Sequence, residues 1–294
     1  MTRFDHPPPP RRSCLSVPAS DHRKLSKAWT SGADELVWDL EDAVAPAHKD
    51  EARRAVLAAL REAGRHGARI AIRVNAPRTK WCHRDLQELA ASPVPPSSIV
   101  VPKVESAGDL AFVDRLLDGV RAEAGTNAPI GVQALIESAS GVANLREIAT
   151  ATPRLESLIL GYADLAASLG RSGATAGEPA SWLAIQDAVL VAARTNELQA
   201  IDGPYLGVDT GSDFAAAVGH ARDLGFDGKW AIHPRQVAAV NEAFSPTEEE
   251  LDWAAAVLDA LSGAGAVALD GQMLDEAVAV RARRLLARKV GARP

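Results

Sequence analysis

Ile130-Gly131-Val132-Gln133-Ala134-Leu135-Ile136, followed at once by Glu137-Ser138, is the stretch on which the fold turns. The run is apolar, rich in β-branched residues and no longer than a strand, so it predicts a buried strand that ends in an acid. Working outward, runs of the same kind recur at residues 13–17, 36–40, 69–74, 98–101, 158–160, 199–201 and 230–232. Segments with helical periodicity lie between them, among them 49–63, 107–124, 145–150, 178–196 and 213–224. Strands that alternate with amphipathic helices pair in parallel through right-handed crossovers. Eight such units predict an α/β protein closed into a (β/α)₈ TIM barrel, and 294 residues is close to the roughly 250 usual for one. The competing open, doubly wound sheet would place a glycine-rich turn after its first strand, and Ser16-Val17-Pro18-Ala19-Ser20 has no glycine.

The barrel is expected over residues 12–244. Residues 1–11, with prolines from Pro7 to Pro10, predict a flexible, extended arm. Residues 245–294 predict a helical extension. Ser245-Pro246-Thr247 before Glu248, Glu249 and Glu250 marks a helix start with acids in its first turn. That helix runs to about Leu261, a glycine-punctuated stretch covers 263–271, and a basic helix follows from about Asp275 to Val290.

Composition narrows the partners. Hydrophobic residues make up 47% of the chain and charged residues 24%, ordinary for a globular protein with a core. The net charge of −6 (32 basic against 38 acidic residues) argues against nucleic acid, whose phosphates call for a basic face. No apolar run approaches the roughly 20 residues that span a bilayer, and the N-terminal sequence lacks the apolar segment of a secretory signal. Two cysteines, Cys14 and Cys82, are too few for a disulfide framework. The expectation is a cytoplasmic protein that acts on small molecules, without nucleic acid or membrane.

Catalytic groups in this fold sit at the C-terminal ends of strands, so polar residues that follow each apolar run are the candidates. The second strand ends in Asp39-Leu40-Glu41-Asp42, whose carboxylates repel one another unless a cation or a proton intervenes. They belong either to salt bridges with neighbouring helices or to the surroundings of a metal. The third ends in Arg73-Val74-Asn75, and an arginine at the mouth can hold a substrate carboxylate by two parallel hydrogen bonds. Pro102-Lys103-Val104-Glu105 adds a lysine and an acid to the same rim. The fifth strand ends in Glu137 and the sixth in Gly161-Tyr162-Ala163-Asp164. Two carboxylates from adjacent strands, completed by water and substrate oxygens, suit Mg²⁺. The bland alternative is a pair of capping or salt-bridging acids. No His/Cys cluster has zinc spacing, and His233 after the eighth strand is as consistent with a structural role as with a catalytic one.

Asp39-Leu40-Glu41-Asp42-Ala43-Val44, Arg73-Val74-Asn75, Pro102-Lys103-Val104-Glu105-Ser106, Ile136-Glu137-Ser138-Ala139-Ser140-Gly141 and the run from Gly228 to Val237 occur in order. In register they closely resemble the citrate lyase β-subunit and malyl-CoA lyase family of the HpcH/HpaI aldolase superfamily, from about Arg12 to the end. The resemblance implies a Mg²⁺-dependent (or Mn²⁺-dependent) carbon–carbon lyase. Its substrate would be a 3-hydroxyacyl-CoA thioester such as malyl-CoA or citryl-CoA, split into acetyl-CoA and glyoxylate or oxaloacetate. It implies that Glu137 and Asp164 hold the metal, that Glu41 and Asp42 hold metal-bound water, and that Arg73 binds the oxoacid. It places Lys27 at the CoA phosphates and the Ile232-His233 backbone beside the thioester. Asp275 corresponds to the general acid/base of a C-terminal loop that closes over a neighbouring subunit's mouth, although by its position alone it is the N-cap of the last helix. The resemblance also implies a homo-oligomer, a trimer or dimer of trimers, with acyl-carrier or other citrate lyase subunits as further partners.

Departures bear on substrate choice. Ala163 stands where citrate lyase relatives usually have Glu, and Asp275-Glu276-Ala277 lacks the proline common after that Asp. Both are nearer the malyl-CoA lyase form. The short segment 171–180 instead resembles citrate lyase β-subunits, while Ser16 and Asp21 replace residues near the CoA contacts. An acyl-CoA thioesterase on the same site, a CoA-independent oxoacid aldolase and a complex subunit inactive alone remain as alternatives.

Overall fold

The computed structural model describes residues 10–63, 69–126, 128–173, 179–262, 266–269 and 272–288. Eight strands, β1 (Ser13–Pro18), β2 (Glu35–Asp39), β3 (Arg69–Arg73), β4 (Ser98–Val101), β5 (Gly131–Ile136), β6 (Leu155–Leu160), β7 (Gln199–Asp202) and β8 (Gly228–Ala231), pair in sequence order into a closed barrel. The closing pair is parallel too, with Cys14 opposite Trp230. Closure leaves no sheet edge and excludes the open doubly wound alternative.

The helices of the βα units are α1 (His22–Ala28), α2 (Lys49–Ala63), α3 (Cys82–Ala90), α4 (Ala107–Ala124), α5 (Ala139–Ala143), α6 (Leu145–Ile148), α7 (Tyr162–Ser168), α8 (Leu183–Thr195), α9 (Ser212–Leu224) and α10 (Pro234–Phe244). None of the described helices is long and apolar enough to cross a membrane. The helix expected over 178–196 begins later, because a 3₁₀ turn, Pro179–Trp182, precedes α8. The extension holds α11 (Glu248–Ala260), a hairpin of β9 (Val267–Leu269) and β10 (Gln272–Leu274), and α12 (Glu276–Ala287). The hairpin occupies ground expected to be a loop. Its strands of three residues each are too short for periodicity to reveal.

Two apolar layers hold the barrel. Outward-facing residues such as Leu36, Trp38, Ile70, Ile72 and Ile99 pack beneath the helices. Inside, a ring takes one residue from each strand, from Cys14 on β1 to Trp230 on β8. Below that ring the interior turns polar. Glu35, fully buried, accepts from Arg11 Nε at 3.1 Å, Arg69 Nε at 2.8 Å and Gln133 Nε2 at 2.9 Å. Arg11 also pairs with Glu156 and Gln199.

Arg11 therefore corrects the expected boundary. Assigned to a flexible arm, it is fully buried and plugs the floor of the barrel. The chain passes so close that a Cβ on Gly228 would lie 1.8 Å from the Arg11 carbonyl oxygen. Residues 1–9 of that arm lie outside the described residues. Glu156 breaks the apolar pattern before residue 158, yet with its charge met by Arg11 and Arg69 it lies within β6. Glu35→Ala would leave one buried and one half-buried guanidinium group short of a carboxylate. We expect it to cost about 3–5 kcal/mol, measured by urea unfolding, and to leave the catalytic mouth's ligand affinity unchanged in the folded fraction.

Candidate active site

The opposite end of the barrel collects the acids. Asp39 and Arg73 are register partners on β2 and β3, so both side chains point inward at the mouth. Arg73 donates to Asp39 through Nε at 2.7 Å and Nη2 at 2.5 Å, a two-pronged pair. Its guanidinium lies 5.7 Å above the Trp230 ring, which forms the floor. Asp39 also accepts from the main-chain N–H of Glu41 at 2.8 Å and of Ala43 at 3.3 Å. One buried carboxylate thus braces both the arginine and the loop that carries Glu41 and Asp42. The three-carboxylate puzzle at this strand end has a divided answer: Asp39 belongs to Arg73, and Glu41 and Asp42 belong to Lys103.

Lys103, just past β4, pairs through Nζ with Glu41 and, at 3.2 Å, with Asp42. Its main-chain N–H donates to Glu137 Oε1 at 2.8 Å. Glu137 follows β5 directly, next to Gly161 at the end of β6, where a Cβ would come within 2.8 Å of the Glu137 carboxylate. A glycine there gives that carboxylate its space. Asp164 stands in the first turn of α7, where the partial positive charge of the helix start favours an acid.

That helix start is held from behind. The Tyr162 hydroxyl donates to Asp202 and accepts from Gln186 Nε2 at 2.7 Å. Lys229, outward on β8, pairs with Asp202 in turn.

The electrostatics are those of a site short of positive charge. Burial, and then repulsion from Glu41 and Asp164, push the Glu137 carboxyl up to about 8. Burial raises Glu41 as well. Burial opposes ionisation of Asp42 too, but the Lys103 ammonium outweighs it and holds that acid below its ordinary value. One oxygen is orphaned: Glu41 Oε2 is buried and accepts no hydrogen bond, although Arg73 Nη1 lies 3.3 Å away.

An unsatisfied carboxylate oxygen beside a second acid forced toward neutrality is the situation a hard divalent cation relieves. No group of three or more His, Cys, Asp or Glu side chains placed to hold a metal ion occurs among the described residues. Mg²⁺ is commonly bound through only one or two carboxylates, with water and substrate oxygens completing its shell. The donor set fits the ion.

The site expectations fare unequally. Glu137, Asp164, Arg73, Glu41 and Asp42 share one mouth, with Ala163 exposed beside Asp164. Arg73 is less free than expected, since two of its three nitrogens are committed to Asp39. Ile232 and His233 lie at the end of β8, but both main-chain N–H groups donate to Gln236 Oε1, at 2.9 and 3.2 Å. Those N–H groups are engaged within the chain, and the exposed apolar side chain of Ile232 is left to line a ligand. Lys27 is exposed on the last turn of α1.

Asp275 is elsewhere. It caps α12, accepting from Ala277 N at 2.9 Å and Val278 N at 3.3 Å, both through Oδ1. The far end of that helix is tied by Arg288 to Phe226 O and Asp227, just ahead of β8 and on the rim opposite the mouth. Lys103 is expected from the sequence only as a rim residue and Asp39 only as a salt-bridging or metal-surrounding acid, while Trp230 carries no expected role. The Pro102-Lys103-Val104-Glu105 motif was the available signal for the first.

Residues 12–234 match the HpcH/HpaI aldolase/citrate lyase family. The chain is 34% identical to the L-malyl-CoA/β-methylmalyl-CoA lyase of Rhodobacter capsulatus, over 94% of each protein. It is 36% identical to the (3S)-malyl-CoA thioesterase of Cereibacter sphaeroides, over 96% of each. Among solved structures, CitE of Mycobacterium tuberculosis in complex with magnesium, acetoacetate and coenzyme A superimposes with a TM-score of 0.77. That likeness covers 95% of this chain and 97% of that one at 31% identity. With similarity of this extent over a closed eight-stranded barrel, the chain belongs to the HpcH/HpaI aldolase/citrate lyase family.

Proposed function

We propose that the protein is a Mg²⁺-dependent carbon–carbon lyase acting on a malyl-CoA-type 3-hydroxyacyl-CoA thioester, releasing acetyl-CoA and an oxoacid such as glyoxylate. The observation that carries this reading is the arginine-braced carboxylate cluster, Glu137 with Glu41 and Asp164, whose orphaned oxygen and raised acid call for a divalent ion. The malyl-CoA lyase relatives and the magnesium and coenzyme A in the CitE complex support the choice of substrate and ion.

Glu137 and Asp164 would hold the ion, with Glu41 and Asp42 behind them. Bound there, the ion supplies Lewis acidity to the oxygen that becomes the oxoacid carbonyl. Arg73 is immobilised by Asp39 through Nε and Nη2, and its Nη1, 3.3 Å from Glu41 Oε2, would turn to the oxoacid carboxylate, so its charge is in place before the reaction begins. The Asp275 carboxylate of a second copy takes the hydroxyl proton as the electron pair of the breaking C–C bond passes to the acetyl-CoA enolate. It then returns that proton to the enolate carbon, and the condensing direction runs the two transfers in reverse. Oδ1 of Asp275 serves the helix cap, which leaves Oδ2 for the proton. Lys27 meets the CoA phosphates and Ile232 lines the thioester. The working form is a homotrimer in the cytoplasm.

The direct test is product analysis with malyl-CoA and Mg²⁺, with acetyl-CoA and glyoxylate expected in equal amounts. The 36% identity to a malyl-CoA thioesterase favours hydrolysis as the second reading. Free CoA and malate without glyoxylate would establish it in place of the lyase. Lys27→Ala is expected to raise KM for malyl-CoA several-fold with kcat little changed, the signature of a grip on the non-reacting part of the substrate.

A further inference from the structure

The mechanism above leaves Lys103 unused, yet no residue touches more of the acid cluster. Its φ is +52°, a left-handed conformation that is uncommon and strained for a side chain of this size. The strained backbone directs its N–H to Glu137 Oε1 at 2.8 Å. The side chain crosses the same mouth and sets its ammonium against Glu41 and Asp42. Main chain and side chain of one residue therefore engage three of the four clustered acids.

The neighbouring cations do less of this work. Arg73 spends Nε and Nη2 on Asp39 and meets Glu41 through Nη1 alone, at 3.3 Å. Lys49 spends its ammonium on the carbonyl oxygens of Leu40 and Glu41, at 2.8 and 2.7 Å. The Lys103 side chain is 36% exposed, so its ammonium can swing into water without crossing the core.

We propose that Lys103 is a built-in counter-cation: its ammonium neutralises Glu41 and Asp42 in the metal-free protein and competes with the divalent ion for the cluster, so that it sets the site's metal affinity. The inference rests on Glu137 and Asp164 being the metal ligands. An ammonium within a few ångströms of a dication's site opposes that ion electrostatically, and a partly buried setting screens the repulsion incompletely.

The test is calorimetric titration of the full chain with MgCl₂, which needs no turnover. Lys103→Met removes the charge and keeps the strain. Lys103→Gly removes the charge and relieves the strain while keeping the N–H to Glu137, so it folds even where the methionine variant does not. Both are expected to bind Mg²⁺ more tightly, on the order of tenfold, and to gain more in melting temperature on saturation than the wild type does. Affinity that is unchanged or weakened in either folded variant overturns the proposal. A wild type that binds no Mg²⁺ overturns the metal reading and this one with it, whereas binding wild type with unaltered variants sinks the lysine's role alone.

Discussion

Glutamine at position 137 is expected to stabilise the metal-free protein at pH 8 while lowering turnover by about 10³-fold, the scale of losing a Lewis-acid site. The stabilisation follows from the sign of the Glu137 shift. Its carboxyl is pushed up to about 8 in the folded protein, by burial first and then by Glu41 and Asp164. In the unfolded chain it titrates near 4.5. Between those values the folded state holds the extra proton, so stability is fully present below about 4.5 and is lost as pH rises through about 8.

At pH 8 that loss is on the order of 2–4 kcal/mol. Glutamine is neutral at every pH and can still accept the Lys103 N–H, so it escapes the loss. The metal-free variant should melt several degrees above the wild type at pH 8 and level with it near pH 5. Saturating Mg²⁺ should raise the wild-type melting temperature and leave Glu137→Gln, and more so Glu137→Gln with Asp164→Asn, nearly unmoved. EDTA-insensitive turnover in that double variant would falsify the metal assignment.

What the chain disclosed in advance divides along a physical line. The eight strands were visible because burial on both faces leaves a local apolar signature that needs no partner. Glu137 and Asp164 were visible for the converse reason, as acids placed directly after such runs. The roles of Asp39 and Lys103 were not. Whether Asp39 or Glu41 receives Arg73 depends on which residues of β2 and β3 lie side by side, and Lys103 reaches Glu41 and Asp42 across two strands. Arg11 and Glu156 were misjudged for the same cause. Each is a charge whose partner is distant in sequence, so one was assigned to an arm and the other hid the start of a strand. The N-cap role of Asp275 is local and legible. Its chemical role depends on where a second chain stands, which no local pattern records.

That last dependence yields the sharpest expected result. Within one chain, α12 is tied at Arg288 to the rim opposite the acid cluster, and Asp275 shares no contact with Glu137, Asp164 or Arg73. If Asp275 serves the mouth of a neighbour in a ring, a site is assembled from the barrel of one copy and the helix start of the next. Asp275→Asn and Glu137→Gln should then each be inactive as pure proteins and complement one another when mixed by unfolding and refolding together. A site is whole only when an Asp275→Asn barrel meets a Glu137→Gln neighbour. Random assembly of equal amounts restores about a quarter of wild-type sites, the product of two one-half chances, whatever the ring's size. A site built within one chain predicts no recovery at any ratio, because every chain in the mixture carries one lesion. Asn keeps the cap through its side-chain oxygen, so the Asp275→Asn protein should melt like the wild type. Its inactivity then reports the lost proton carrier and not a frayed helix.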